Sequence, residues 1–233
     1  MALDIVKSFR YLKWYEWIMF VLMVMIGAFY MVTDKTHPLW YLIVNYICSV
    51  MGICCIFLCA HANRTNWFFA IINTALYIVV LLYNRVYGTA ALEAFYYMPT
   101  NIFGLIMWKK HCDQVEPELC MTRRMTWIER VIMVVVVAAG ASIYHWILVK
   151  IGGATAWLDA FIVAIGIIAT FLEVKRYADQ YILWLITDVI SVVQWVLLAD
   201  LIMITKRSIY TVMAVIGLYN WVKLQKQRNI KNV

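Results

Sequence analysis

Residues 180–199 read QYILWLITDVISVVQWVLLA, and Asp188 is the only charged side chain among these twenty residues. A transmembrane helix needs about 20 apolar residues to cross the hydrocarbon core of a bilayer. The apolar residues follow one another without strict alternation, which favours a helix over a strand of a membrane β-barrel. This stretch therefore predicts a membrane-spanning helix with an acid near its middle.

The whole chain has the composition of a membrane protein. Of its 233 residues, 65% are hydrophobic and 14% are charged, and the mean hydropathy is +0.80. Soluble domains are about 45–50% apolar and about 25% charged, and disordered chains are less apolar still. Both classes are excluded. A chain of this length has room for about eight spans, which leaves none for a soluble catalytic domain.

Seven further apolar runs accompany the one at 180–199. The eight predicted spans are residues 17–33, 38–60, 66–84, 87–108, 127–149, 155–174, 180–199 and 205–224. Ahead of them, Ile5, Phe9 and Leu12 form an apolar stripe, which predicts a short helix in the membrane interface. The charged residues around that stripe argue against a cleavable signal peptide.

Basic residues predict the orientation of the spans. Of the 20 lysines and arginines, 15 fall on the side of the two termini and five on the other side. The five are Lys35, Arg85, Lys150, Lys206 and Arg207. Because cytoplasmic loops are enriched in basic residues, both termini are predicted to be cytoplasmic. The net charge of +7 is thereby assigned to topology and lipid contact, not to nucleic acid.

An internal repeat is visible in the fourth and eighth spans. Tyr97, Gly104 and Trp108 recur 113 positions later as Tyr210, Gly217 and Trp221. Spans 2–4 and 6–8 are therefore interpreted as two three-helix repeats. Three spans end on the side opposite their start, so the fifth span must cross back to make the repeats parallel.

The repeat divides the chain into five predicted segments. They are an interfacial segment with an extra first helix (1–35), a first three-helix repeat (36–110), a cytoplasmic loop with a linker helix (111–154), a second three-helix repeat (155–226) and a basic cytoplasmic tail (227–233). The predicted fold is an all-α polytopic membrane protein of eight transmembrane helices.

Polar side chains inside spans are the candidates for a substrate site, because each is costly in lipid. Trp184, Asp188 and Ser191, followed by Gln194 or Trp195, step by three or four residues and share one helix face. An indole, a carboxylate and an amide on one face suit a flat aromatic cation that carries hydroxyls. The alternative is a structural network in which Asp188 bonds neighbouring helices or is protonated.

Other spans add further candidates for binding and gating. They are Asn45 in span two, Asn73 and Tyr77 in span three, and Tyr97 and Asn101 in span four. Each asparagine serves equally well as an interhelical hydrogen bond. Pro99 removes a backbone donor and predicts a kink, which is either a gate hinge or a static bend.

Several function classes lack their motifs. The four histidines are scattered and form no metal site, and no Walker A loop or nucleophile motif is present. No cofactor is expected. A membrane-embedded enzyme would need a catalytic pair, and Asp188 is the only acid assigned to mid-membrane. A structural or sensory role would leave the matched polar faces of spans three and seven unexplained.

The order of these residues resembles the PnuC family of vitamin transporters, within an architecture similar to SWEET sugar transporters. The matching stretches are Asn66-Trp67, Asn73, Tyr77, Tyr87-Gly88, Tyr96-Tyr97, Gly104 and Trp108, then Leu158-Asp159-Ala160, Arg176-Tyr177, Gln180, Trp184, Asp188 and Ser191. Span one resembles the extra amino-terminal helix of some members. The proline-glutamine pair of the wider superfamily is missing, since Thr100 follows Pro99.

The resemblance implies facilitated diffusion of nicotinamide riboside across a bacterial cytoplasmic membrane, without coupling to ATP or an ion gradient. Cytosolic phosphorylation would then trap the substrate. It also implies a homo-oligomer, a trimer in this family. Thiamine and riboflavin are the alternative substrates.

Overall fold

The computed structural model describes residues 7–35, 37–83, 87–111, 120, 122–150, 156–197 and 201–231. These residues form helices and no β-strand. The helices are α1 (Trp14–Thr33), α2 (Leu39–Ala60), α3 (Asn66–Tyr83), α4 (Tyr87–Leu92, a π-helical turn Glu93–Tyr97, then Met98–Lys109), α5 (Trp127–Lys150), α6 (Ala156–Val174), α7 (Gln180–Leu197) and α8 (Leu201–Lys231).

Many of these helices have the composition of membrane spans. Among the described residues, α1, α2, α3 and the part of α5 at Trp127–Ile147 are long and apolar enough to cross a bilayer. Shorter apolar helices lie at Ala160–Val174 and Gln180–Val193. Together with the large apolar side chains exposed on α1 and α5, they identify a multi-pass membrane protein, as the composition predicts.

The predicted spans agree with the helices to within a few residues, with one exception. The last helix begins at Leu201 and continues to Lys231, whereas the predicted span is 205–224. The basic segment predicted as a tail is therefore helical as far as Lys231. The early start also places Arg207 in the second turn of α8, inside the helix.

The chain divides into two compact units, Met1–Met121 and Thr122–Val233. In the first, α2 packs against α1 and α3, and α3 packs against α4. In the second, α5 packs on α6, α6 on α7, and α7 on α8. The fifth helix, predicted as a linker, contributes Met133 and Val137 to an apolar cluster with Ile165, Ala169 and Leu183.

Each unit contains the same turn between two of its helices. Ala62 follows α2 with φ 54°, and Arg176, 114 positions later, follows α6 with φ 62°. A positive φ closes a helix by turning the chain sharply. The backbone N–H of Cys120 donates to the Ala62 carbonyl at 2.9 Å, and that of Arg123 to the Arg176 carbonyl at 2.8 Å. The segment before α5 thus supplies a hydrogen bond to the turn of each unit.

Contacts with aromatic rings explain why glycine occurs at both Gly104 and Gly217. A Cβ on Gly104 would lie 2.7 Å from ring atoms of Trp67, and a Cβ on Gly217 would lie 2.4 Å from the ring of Tyr181. Both glycines are therefore required for close approach of the ring on the preceding helix. Each ring also meets a tryptophan edge-on. The centroids of Trp67 and Trp108 are 5.5 Å apart, and those of Tyr181 and Trp221 are 5.4 Å apart.

The π-helical turn accounts for a change in the spacing between the units. The helices α3 and α7 begin 114 positions apart, and so do α4 and α8. Beyond the turn at Glu93–Tyr97, Gly104 and Gly217 are 113 positions apart. A π turn accommodates one extra residue in a helix, and α8 is α-helical throughout its described length. Pro99, which cannot donate to the preceding carbonyls, lies two residues after the turn.

Candidate functional site

Polar side chains inside the helices lie in both units, and each unit has its own network. In the second unit, Asp188 is 3% exposed. Its Oδ1 accepts a hydrogen bond from Nη1 of Arg207 at 3.0 Å. The acid predicted near mid-membrane is therefore paired with a base on α8. Sequence analysis assigned Arg207 to a terminus of the span, because the predicted span began at 205.

The rest of the predicted face on α7 divides between two environments. Ser191 is buried, whereas the half-buried Trp184 packs against the apolar cluster of Ile165, Ala169, Leu172 and Leu183. Trp184 therefore contributes to the packing of α7 on α6. The side chain of Gln194, and that of Trp195, lie outside the described residues.

In the first unit, Asn73 joins α3 to α2. Its Nδ2 donates to the carbonyl oxygen of Cys48 at 2.7 Å, and the Cys48 thiol donates to the Asn73 carbonyl at 3.6 Å. A helix carbonyl normally accepts from its own helix, so the side chain of Asn73 adds an interhelical bond. This is the structural role that the sequence left as an even alternative.

Asn101 joins α4 to α3. Its Nδ2 donates to the hydroxyl oxygen of Thr74 at 3.0 Å, and both residues are buried. Tyr77 and Tyr97 are half-buried, and the ring of Tyr97 meets that of Tyr96 at 5.0 Å. By contrast, Asn45 and Pro99 are exposed.

Glu93 is a candidate that sequence analysis missed. It opens the π-helical turn of α4 and is half-buried, and its carboxyl group hydrogen-bonds with the side chain of Thr74. No described lysine, arginine or histidine forms an ion pair with it. Glu93 is the seventh residue of the predicted span 87–108, and this position could have identified it. The prediction placed Asp188 alone near mid-membrane.

The two polar contacts occupy matching positions. Asp188 stands 114 positions after Thr74, and Arg207 stands 114 positions after Glu93. Each unit thus joins the second and third helices of its repeat through one polar contact at matching positions. In the second unit the two charges offset each other, whereas the first unit holds a carboxyl group beside a hydroxyl. Of the two acids, Asp188 has an ion pair with a described base, and Glu93 has none among the described residues.

Metal chemistry has no support in the described part of the chain, where no three histidine, cysteine or acidic side chains form a group that could hold an ion. The candidate residues of each unit provide amides, hydroxyls, aromatic rings and one carboxyl group, Glu93 in the first unit and Asp188 in the second. Such groups bind a polar organic molecule through hydrogen bonds and stacking.

Three curated relatives of this chain are transporters of one kind. The chain is 27% identical over 192 residues to the nicotinamide riboside transporter PnuC of Neisseria mucosa, covering 78% of this chain and 73% of that protein. It is 26% identical to the PnuC of Haemophilus influenzae (78% and 80% covered). It is 24% identical to the PnuC of Escherichia coli (77% and 85% covered).

A solved structure gives the same result. The crystal structure of the vitamin B3 transporter PnuC matches with a TM-score of 0.76 and 25% identity, over 93% of this chain and 94% of that one. The profile of a family described as nicotinamide mononucleotide transporter matches residues 42–223, that is, α2 and everything up to Lys223 in α8. The resemblance to PnuC is confirmed, and the chain belongs to the nicotinamide mononucleotide transporter family.

Proposed function

We propose that this chain carries nicotinamide riboside across a bacterial cytoplasmic membrane by facilitated diffusion. The observation that carries the proposal is the family match over residues 42–223, together with relatives that bear the name nicotinamide riboside transporter. Membership of a transporter family also argues against an enzyme.

The proposed architecture has eight transmembrane helices, with α1 as the extra helix and two parallel three-helix repeats, α2–α4 and α6–α8, joined by α5. Three matching features support the repeat: the positive-φ turns, the glycine–ring contacts and the polar contacts at Thr74 and Asp188. The family match begins at residue 42, which supports an extra α1. Both termini are proposed to be cytoplasmic, and the assembled protein to be a homotrimer.

The substrate is a flat cationic ring with a carboxamide and ribose hydroxyls. We assign its binding to side chains of both units: Trp184, Asp188, Ser191 and Gln194 in the second, and Asn45, Asn73, Tyr77, Tyr97 and Asn101 in the first. To these we add Glu93, whose carboxyl group is the proposed counter-charge for the ring, because Arg207 already offsets Asp188. Pro99, beside the π-helical turn, is the proposed gate hinge.

The sequence contains no phosphate-binding loop, which agrees with the proposed transport without ATP. Net uptake would then depend on phosphorylation of the substrate in the cytosol. The decisive experiment has two parts. Calorimetric titration of purified protein compares nicotinamide riboside with nicotinamide mononucleotide, thiamine, riboflavin and a sugar. Proteoliposomes then test whether the bound compound equilibrates without ATP or an imposed gradient.

Binding of nicotinamide riboside above the other compounds supports the proposal. Preference for the mononucleotide, which the family description names, or for thiamine or riboflavin would change the substrate and keep the class. Accumulation driven by a proton or sodium gradient would overturn facilitated diffusion and make an intramembrane acid a coupling-ion site.

A further inference from the structure

A cavity in the second unit lies outside the residues assigned to substrate. It has a volume of about 370 Å³ and lies where the first turn of α7 meets the C-terminal half of α8. Ile182, Val215 and Tyr219 contribute apolar walls, and Arg124, Arg130 and Asp179 contribute charge. The cavity therefore combines an apolar floor with a charged margin.

The charged side chains at the margin of the cavity are two arginines and one aspartate, so the margin carries a net positive charge. Oδ1 of Asp179 accepts from Nε of Arg130 at 2.8 Å, and Oδ2 accepts from the backbone N–H of Met125 at 2.8 Å. The carboxylate is thus fully occupied by groups of its own unit. Arg124 is exposed, and among the described residues no acid forms an ion pair with it. One guanidinium group remains available to an anion.

Exposed apolar side chains continue from the cavity along both helices. On α7, Ile182, Ile186, Val189 and Val193 are exposed by 42%, 42%, 49% and 53%, and their spacing places them on one face. The distance from Ile182 to Val193 along the helix is roughly 16 Å. One leaflet of the hydrocarbon core is about 15 Å thick, so the face has the length of one acyl chain.

The neighbouring helix provides a parallel exposed row. Val212, Val215 and Tyr219 of α8 are exposed by 49%, 53% and 63%, and two of them line the cavity with Ile182. A tyrosine at this level is typical of the boundary between headgroups and acyl chains. The two rows lie side by side, and the apolar surface between them, called the furrow below, ends at the guanidinium of Arg124.

We propose that this furrow is a binding site for an anionic glycerophospholipid. The phosphate binds the guanidinium of Arg124, and one acyl chain lies between the exposed rows of α7 and α8. Basic pockets between transmembrane helices bind acidic headgroups in this way, and arginine suits a phosphate because of its planar fork of donors. The site is separate from the proposed substrate residues, so it does not depend on the proposed substrate.

The test is native mass spectrometry of the purified full-length protein, titrated with phosphatidylglycerol or phosphatidylcholine of identical acyl chains. We expect the wild type to bind phosphatidylglycerol more tightly. Arg124→Gln should weaken that binding about fivefold and leave phosphatidylcholine unchanged, while Arg124→Lys should retain the preference. Lys150→Gln removes an exposed base at the far end of α5 and should change neither lipid.

A second variant tests the furrow without changing charge. Val215→Trp should fill it and weaken both lipids. The proposal is wrong if the wild type does not distinguish the lipids, or if Arg124→Gln and Lys150→Gln act alike. It is also wrong if Val215→Trp leaves lipid binding intact and alters the oligomeric mass, which would make the furrow a contact between copies of this chain.

Discussion

Arg207 in the second turn of α8 donates from Nη1 to Oδ1 of Asp188, in the middle of α7, at 3.0 Å. The Asp188 side chain is 5% exposed and that of Arg207 is 31% exposed. The carboxylate therefore depends on one base for compensation, and that base reaches it from a partly open position. The ion pair links α7 to α8 through the same acid that the sequence predicts to bind substrate.

The pair should contribute to stability more than to substrate charge recognition. Asp188→Asn or Arg207→Gln alone leaves a charged partner without compensation, and each should reduce the free energy of unfolding by about 1–3 kcal/mol. The swap of Asp188→Arg with Arg207→Asp should recover part of that loss. Thermal unfolding of the wild type and the three variants in the same detergent shows whether the swap recovers stability.

The Asp188→Asn variant also tests whether Asp188 recognises the positive charge of the ligand. Asp188→Asn should change the affinity for nicotinamide riboside and for its neutral reduced analogue by similar factors, because Arg207 already offsets the carboxylate. A larger loss of affinity for the cationic ligand than for the neutral one would show that Asp188 is the counter-ion.

Close packing at the repeated glycines gives a sharper stability prediction. Gly217→Ala would place its Cβ 2.4 Å from Cε1 of Tyr181, so the ring or the helices must shift. Overpacking of this kind costs about 1–3 kcal/mol, measured as a lower midpoint of thermal unfolding. Combining the change with Tyr181→Leu should restore part of the loss, because the shorter side chain vacates the space.

A third glycine supplies the control. Among the described residues, the only atom within 4 Å of a Cβ on Gly140 in α5 is the Cβ of Ala164 at 3.8 Å, an ordinary contact. Gly140→Ala should therefore be neutral or stabilising by up to about 1 kcal/mol. If Gly140→Ala and Gly217→Ala destabilise equally, loss of glycine from a helix, and not contact with Tyr181, is the cause.

Membrane orientation gives a prediction that depends only on basic residues. Single cysteines introduced at Lys150 and Lys206 should react with a membrane-impermeant reagent applied outside the cell. Cysteines at Lys110 and Lys223 should react only after permeabilisation. The reverse pattern would invert the proposed topology without affecting the helices.

Much of the fold could be predicted from sequence because the apolar runs are long and their ends are polar. The starts of α3 at Asn66 and α7 at Gln180 agree with the predicted spans, and Gly104 and Gly217 marked contacts that the structure contains. Composition does not reveal how an apolar run is distributed around a helix. The packing of Trp184 on the cluster at Leu183 was therefore not predicted, and its assignment to the substrate site stays a prediction.

The π-helical turn could not be predicted from the sequence. Its presence changes the spacing between the units by one residue, which a comparison of three positions from Tyr97 onward does not detect. The match between Thr74 and Asp188, and between Glu93 and Arg207, becomes visible only when helix starts are aligned separately. The partner of Asp188 was not predicted, because Arg207 was counted among the basic residues at the membrane surface.

Trp184 should affect stability and binding together. Trp184→Ala removes a half-buried ring from the cluster, at a cost on the order of 2 kcal/mol, less than the ~3–5 kcal/mol of a fully buried aromatic. If the ring also stacks on substrate, Trp184→Ala should in addition weaken the free energy of substrate binding by ~1–3 kcal/mol. Trp184→Leu, which keeps apolar volume without a ring, separates the two effects by unfolding midpoint and calorimetric affinity. Equal affinity for wild type and Trp184→Leu would remove the residue from the substrate site.

Glu93 gives the most direct test of the proposed counter-charge. Glu93→Gln keeps the size of the side chain and its hydrogen bond with Thr74 while removing the negative charge. A hydrogen bond or close contact to a charged group is worth about 1.5–3 kcal/mol, so affinity for nicotinamide riboside should fall roughly 10- to 150-fold. The neutral reduced analogue should lose far less.

Thr74→Val is the matched control for that experiment. It deletes the hydroxyl that holds both Glu93 and Asn101 but leaves the charge in place, so it should lower the unfolding midpoint and weaken both ligands alike. Calorimetry with the two ligands against wild type and both variants separates charge from position. If Glu93→Gln weakens the cationic and the neutral ligand equally, Glu93 acts as Thr74 does, by holding α4 against α3, and the counter-charge must come from another acid.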